Sequence, residues 1–78
     1  MTPPTAGRVS LESTTLATAT YDDGLETLQL DFCDGTHYVY FGILPNLYRG
    51  LLRAASKGSF FNRYIRDRFP YAQLSAEN

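Results

Sequence analysis

The period of the hydrophobic positions changes near the middle of the chain. From Leu16 to Phe41 apolar and polar residues alternate, which is the period of a half-buried strand; from Pro45 to Phe69 the apolar residues recur at helical spacing. The clearest strand is Thr27–Cys33, TLQLDFC, with Leu28, Leu30 and Phe32 on one side and Thr27, Gln29 and Asp31 on the other. Before it, Leu16–Tyr21, LATATY, alternates small and β-branched residues and reads as a strand. The cluster Asp22-Asp23-Gly24 turns one strand into the next. Val9 and Leu11 are candidates to anchor a first extended piece.

Asp34-Gly35 lies between two alternating runs, the signature of a hairpin with a two-residue loop. That loop predicts a register in which Cys33 opposes Thr36, Phe32 opposes His37, Asp31 opposes Tyr38, Leu30 opposes Val39, Gln29 opposes Tyr40 and Leu28 opposes Phe41. It puts His37, Val39 and Phe41 on the face of Leu28, Leu30 and Phe32, and it leaves Tyr38 and Tyr40 on the opposite face. A one-residue slip would reverse every one of these assignments.

Pro45 suits the first turn of a helix. Leu47, Tyr48, Leu51, Leu52 and Ala55 then form one stripe over Asn46–Ser56, with Gly50 a modest internal cost. Gly58 suits the position just past this helix, and Ser59 the N-cap of a second. Phe60, Phe61, Tyr64, Ile65 and Phe69 make the second stripe, which Pro70 ends. The fold expected is α+β: a three-stranded antiparallel β-meander followed by two short α-helices packed on one sheet face. Residues 1–8 read as a disordered N-terminal arm, 9–72 as a single domain and 73–78 as a flexible tail.

At 78 residues the chain is one domain, near the lower size limit for a self-sufficient core, so self-association is a standing option. A lone cysteine, Cys33, excludes an intrachain disulfide, and no apolar run is long enough to span a membrane. The expected location is cytoplasmic. The net charge of −1 hides a polarity: residues 1–45 hold one basic and six acidic side chains, and residues 46–70 hold six basic and one acidic.

Catalysis is not expected. The predicted register puts His37 and Cys33 on opposite faces, which separates the one candidate nucleophile from the one candidate base. No metal set and no phosphate-binding glycine loop is present in the pattern, so no cofactor is expected. Two binding features remain. Tyr38 and Tyr40, two apart on a strand, share a face and could serve as a stacking platform; packing or a self-association interface weighs more, because the neighbouring Asp31 repels phosphate. Arg49, Arg53 and Lys57 are spaced to line one helix face, and the Lys57-Gly58-Ser59 corner offers backbone N–H groups to an anion. Arg63 and Arg66 extend this basic surface. A purely solvated helix face explains the same stripe. On the predicted register the tyrosines and most arginines lie on opposite sides of the molecule.

The ordered set Tyr21-Asp22, Leu28-x-Leu30-x-Phe32, Gly35, Tyr38-Val39-Tyr40, Pro45, Leu51, Ala54, Ser56-x-Gly58 and Phe60-Phe61-Asn62-x-x-Ile65-Arg66 resembles the KTSC domain. That module is named for its occurrence at the C-terminus of some lysyl-tRNA synthetases and also occurs as a free-standing bacterial protein. The resemblance runs from about Val9 to Tyr71. It implies an accessory, non-catalytic module and suggests RNA or tRNA as partner, through the basic helical surface. The alternative is a protein-interaction or self-association module that uses the Tyr38/Tyr40 face.

Overall fold

The computed structural model describes residues 7–74. They form five antiparallel strands, β1 Gly7–Ser10, β2 Leu16–Asp22, β3 Thr27–Phe32, β4 His37–Phe41 and β5 Tyr71–Leu74. The strands lie in sequence order across one sheet. Helices α1 Pro45–Arg53 and α2 Lys57–Tyr64 are inserted between β4 and β5. The class is the expected α+β, but with two more strands than the alternation shows. Both additions are four-residue edge strands. β1 is exposed throughout, so no buried face imposes a period on it. β5 follows Pro70, which reads as a helix stop; here the Phe41 N–H donates to the Pro70 carbonyl at 3.0 Å and opens the β4–β5 ladder. Most of the expected N-terminal arm and C-terminal tail, residues 1–6 and 75–78, lies outside the described residues; Gly7 and Arg8 belong to β1, and Gln73 and Leu74 to β5.

The β3–β4 register differs by one residue from the predicted one. Leu28 opposes Tyr40, Gln29 opposes Val39, Leu30 opposes Tyr38 and Asp31 opposes His37. The cause is the turn. The Gly35 N–H donates to the Phe32 carbonyl at 3.0 Å, the Phe32 N–H donates to Thr36 at 2.8 Å, and Gly35 has φ +94°. This is a three-residue loop, Cys33-Asp34-Gly35, with a glycine bulge, where the sequence reads as a two-residue Asp-Gly loop. Tyr38 and Tyr40 therefore join Leu28 and Leu30 on the helix side. His37, Val39 and Phe41 move to the other face.

The helices cover the Leu28/Leu30 face, as expected. Leu16, Leu28, Leu30, Ile43, Leu51 and Ile65 are fully buried there, with Tyr21, Tyr40 and Phe61 nearly so. A bulge between Leu16 and Thr18 brings Leu16, Ala19 and Tyr21 to this one face of β2 despite their uneven spacing. Tyr21 stacks on Tyr48 of α1 with centroids 4.5 Å apart, and its hydroxyl donates to the Ile43 carbonyl at 2.6 Å. Helix α1 ends earlier than its stripe suggests, at Arg53, because Ala54 is extended. Ser56, not Ser59, caps α2, its Oγ accepting from the Ser59 N–H at 3.3 Å. Gly58 thus lies in the first turn of α2, where a Cβ would approach Thr15 Oγ1 at 3.2 Å.

Candidate functional site

The register decides what each face of the sheet presents. On the face away from the helices, Thr18 of β2, Gln29 and Asp31 of β3 and His37 of β4 form one cluster. Asp31 is 8% exposed. It accepts from Thr18 Oγ1 at 2.5 Å and Gln29 Nε2 at 2.9 Å, and His37 Nδ1 lies 2.6 Å from its Oδ1. Burial alone would raise the Asp31 carboxyl; the hydrogen bonds from Thr18, Gln29 and His37, with the attraction of a His37 charge, outweigh it and hold the group below its ordinary value. His37 is thus not the core residue expected from the two-residue loop. It hydrogen-bonds Asp31, whereas Cys33 Sγ donates to the Ser13 carbonyl at 3.4 Å.

On the helix side, the tyrosines form a wall instead of an open platform. The Tyr38 and Tyr40 rings lie 6.4 Å apart, tilted by 30°. Tyr71 of β5 completes a triangle, 5.8 Å from Tyr38 and 5.6 Å from Tyr40. Phe61 of α2 meets Tyr40 edge-on at 5.6 Å, and Phe32 meets Tyr38 edge-on at 5.7 Å. Tyr40 is buried, Tyr38 half-buried, and Tyr71 54% exposed. Burial, then the neighbouring phenols Tyr38 and Tyr71, push the Tyr40 hydroxyl up to about 12, so it stays a neutral donor.

These rings line a groove of about 440 Å³ between β4–β5 and the end of α2. Besides the tyrosine hydroxyls, its polar lining is Asn62, Arg66 and Asp67 on one side and Thr15 with Asp34 and Thr36 of the hairpin turn on the other. Arg66, just past the end of α2, donates from Nη1 to Asn62 Oδ1 at 3.3 Å. Asp34 Oδ1 accepts from the Thr36 N–H at 3.0 Å and its hydroxyl at 2.7 Å, and these bonds hold the exposed carboxyl below its ordinary value.

The remaining basic residues do not make one stripe. Arg49 and Arg53 lie a turn apart on α1, both exposed, with Arg49 Nη2 donating to Asn46 Oδ1 at 2.7 Å. Lys57 leaves their row because α1 has already ended; its Nζ donates to the Ala54 carbonyl at 2.9 Å. Glu12 lines the cleft of about 230 Å³ beside Lys57 and Ser56. At the Lys57-Gly58-Ser59 corner, the Ser59 N–H is taken by Ser56. Arg63 lies over the Tyr64 ring at 5.9 Å. Of the arginines and lysine singled out from the sequence, Arg66 is the one that lines the groove with Tyr38 and Tyr40.

The KTSC domain family matches residues 12–69, three quarters of the chain, which includes Tyr38, Tyr40 and Arg66. This chain belongs to the KTSC domain family. A KTSC domain protein from Yersinia pestis has a crystal structure that superimposes with a TM-score of 0.85 at 25% identity, over 88% of this chain and 97% of that one. A lysine–tRNA ligase from Nostoc punctiforme is 34% identical over 64 residues, 82% of this chain but 11% of the ligase. A small protein from Tsukamurella paurometabola is 36% identical over 59 residues, 76% of this chain and 88% of its own length. The KTSC unit is thus found both as nearly a whole protein and as about a tenth of a ligase. Among the described residues no helix is long and apolar enough to cross a membrane.

Sequence reasoning missed Tyr71, Asn62 and Asp67 as lining residues, and with them Thr15, Asp34 and Thr36. One signal was available: Asn62 and Arg66 follow Phe61 at one and five positions, so a helix that buries Phe61 against the sheet holds both polar groups at the rim of the same contact.

Proposed function

We propose that this KTSC domain is a non-catalytic RNA-binding module that seats an unpaired nucleotide in the tyrosine groove. The base lies against Tyr38, Tyr40 and Tyr71, and Arg66 takes the adjoining phosphate. The observation that carries this reading is that Tyr38, Tyr40 and Arg66 line one groove, where the two-residue hairpin register would have put rings and arginines on opposite sides. Stacking of a base on an aromatic ring contributes about 1–3 kcal/mol and tolerates any base, so such a groove can bind without reading a long sequence. Arg49, Arg53 and Arg63 lie outside the groove and supply general attraction for flanking phosphates. The likeness to a portion of a lysine–tRNA ligase supports tRNA as the class of RNA. Self-association through an open Tyr38/Tyr40 sheet face finds less support, because Phe61 of α2 and Tyr71 of β5 pack beside those rings and turn the face into a groove.

The test is titration of the isotope-labelled protein with tRNA and with single-stranded oligonucleotides at two salt concentrations. Amides of Thr36, Asn62 and Arg66 should shift. Affinity should fall with salt by about 0.7 log units per log unit for each phosphate neutralised. Tyr71→Ala, at an exposed position, should weaken binding by about fivefold to a hundredfold, and Arg66→Ala should also weaken it and flatten the salt dependence. Binding that is unchanged in both variants removes the groove as the site.

A further inference from the structure

We infer that the groove prefers a base that carries an amino group on its pairing edge, adenine, cytosine or guanine, over uracil. This rests on the reading of the groove as a nucleotide site and concerns which nucleotide it takes.

The argument starts from size. A groove of about 440 Å³ is in the range of small-molecule sites and holds one nucleotide, not a duplex. The three tyrosine rings stand 5.6–6.4 Å apart, too close for a base to slide between them. A single base therefore lies across the wall, with its edge toward the polar lining.

That lining is unequal in charge. Arg66 is its one cation among the described residues, and it shares the lining with two carboxylates, Asp67 beside it and Asp34 of the hairpin turn. A strand threaded through the groove would bring several phosphates against those carboxylates, so one phosphate at Arg66 is what the charges accommodate. Both acids belong to the polar lining that the edge of such a base meets. Asp34 is held ionised by its Thr36 hydrogen bonds, both of which end on Oδ1. Asp34 lines the groove, and among the described residues its other oxygen takes no hydrogen bond, which leaves it available as an acceptor. Asn62 has its carbonyl oxygen engaged by Arg66. Carboxylates accept from exocyclic amines, as in the pairing of Asp or Glu with cytosine N4. Uracil has a carbonyl where cytosine has its amine, and it offers a carboxylate only its N3–H, flanked by two carbonyls that repel the acid. The arginine in the wall also separates this groove from an aromatic cage for a quaternary ammonium, which is built without a competing cation.

The test uses the full chain and four nucleoside monophosphates, AMP, CMP, GMP and UMP, followed by amide shifts, with the pentanucleotides of A, C and U as a second series. AMP, CMP and GMP should each bind about tenfold or more tighter than UMP. Asp34→Asn and Asp67→Asn supply the decisive arm. Asn tolerates both a turn position and the positive φ of Asp67 (61°), so both variants retain the backbone. An amide can donate to the uracil carbonyl, so in at least one variant the ratio should contract toward unity while Arg66-dependent binding persists. Equal affinity for all four nucleotides, or a preference unchanged in both variants, overturns this inference and leaves the nucleotide groove standing. No groove shift with any nucleotide or oligonucleotide overturns the groove reading itself, and shifts with tetramethylammonium alone reassign it to cations.

Discussion

Asp31 shows how much one side chain can carry in a chain of this size. It is an ionised group on the outward sheet face, yet it is 8% exposed and accepts from Thr18 and Gln29, with His37 closing the cluster. A carboxylate so engaged stabilises the fold only while it stays ionised. Its folded value is lowered, so as the pH drops the unfolded chain binds the proton first. The contribution is complete above about pH 5 and is lost as the pH falls through the folded value. Asp31→Asn should therefore cost about 1–3 kcal/mol at pH 7 and should flatten the loss of stability between about pH 5 and 2. Urea unfolding at pH 7 and at pH 3 checks both statements; an acid limb as steep in the variant as in the parent would contradict them. Nothing in the alternation of TLQLDFC marks Asp31 as buried, because a polar residue on a polar face looks solvated until its neighbours across the sheet are known.

Those neighbours depend on elements, and above all on the β3–β4 turn. The strand TLQLDFC and the two helices were legible in the sequence because their burial is one-sided, although α1 stops before Ala55 of its stripe and α2 stops at Tyr64, before Ile65, Phe69 and the expected stop at Pro70. The register between β3 and β4 was not. Asp34-Gly35 suits a two-residue loop and equally a three-residue loop with Gly35 as the bulge. Both registers put large residues beside Leu28 and Leu30, namely Val39 and Phe41 in one and Tyr38 and Tyr40 in the other. Tyrosine is at home on either face, so hydrophobic matching could not choose. The tyrosines were thus found as site candidates but placed on the wrong side, and Arg66 could not be joined to them. β1 and β5 were illegible for another reason: four residues with little burial leave no period to read. The contact between α1 and α2 is a third element-level feature hidden in the sequence. Gly50 reads as a weak helix position, but a Cβ there would meet the Phe60 ring at 2.8 Å. Gly50→Ala should therefore destabilise by about 1–3 kcal/mol, although helix propensity alone favours it by about 1 kcal/mol. Thermal unfolding measures the sign, and a rise in Tm would show that Phe60 moves aside freely.

At the scale of the molecule, the chain is an antiparallel meander into which a helical hairpin has been inserted before the last strand. The acidic half of the sequence supplies β1 to β4, and the basic half supplies the helices and the return. The groove forms where the halves meet, which is why it holds Asp34 from one and Arg66 from the other. β5 also covers the edge of β4, whose backbone would otherwise be open to pairing with another chain. A protein ending at Pro70 should therefore lose stability and elute as oligomers in size-exclusion chromatography. A monodisperse monomer with the parent's Tm would show that β5 is dispensable.

Tyr71 occupies the first position of that returning strand. Tyr71 is distant in sequence from Tyr38 and Tyr40 and joins their rings only when the strand zips onto β4. Opening of this C-terminal seam and release of the proposed nucleotide from Tyr71 are then linked. An occupant that touches Tyr71 holds the seam shut by its own binding energy, and local fraying of β5 sets a floor under its dissociation rate.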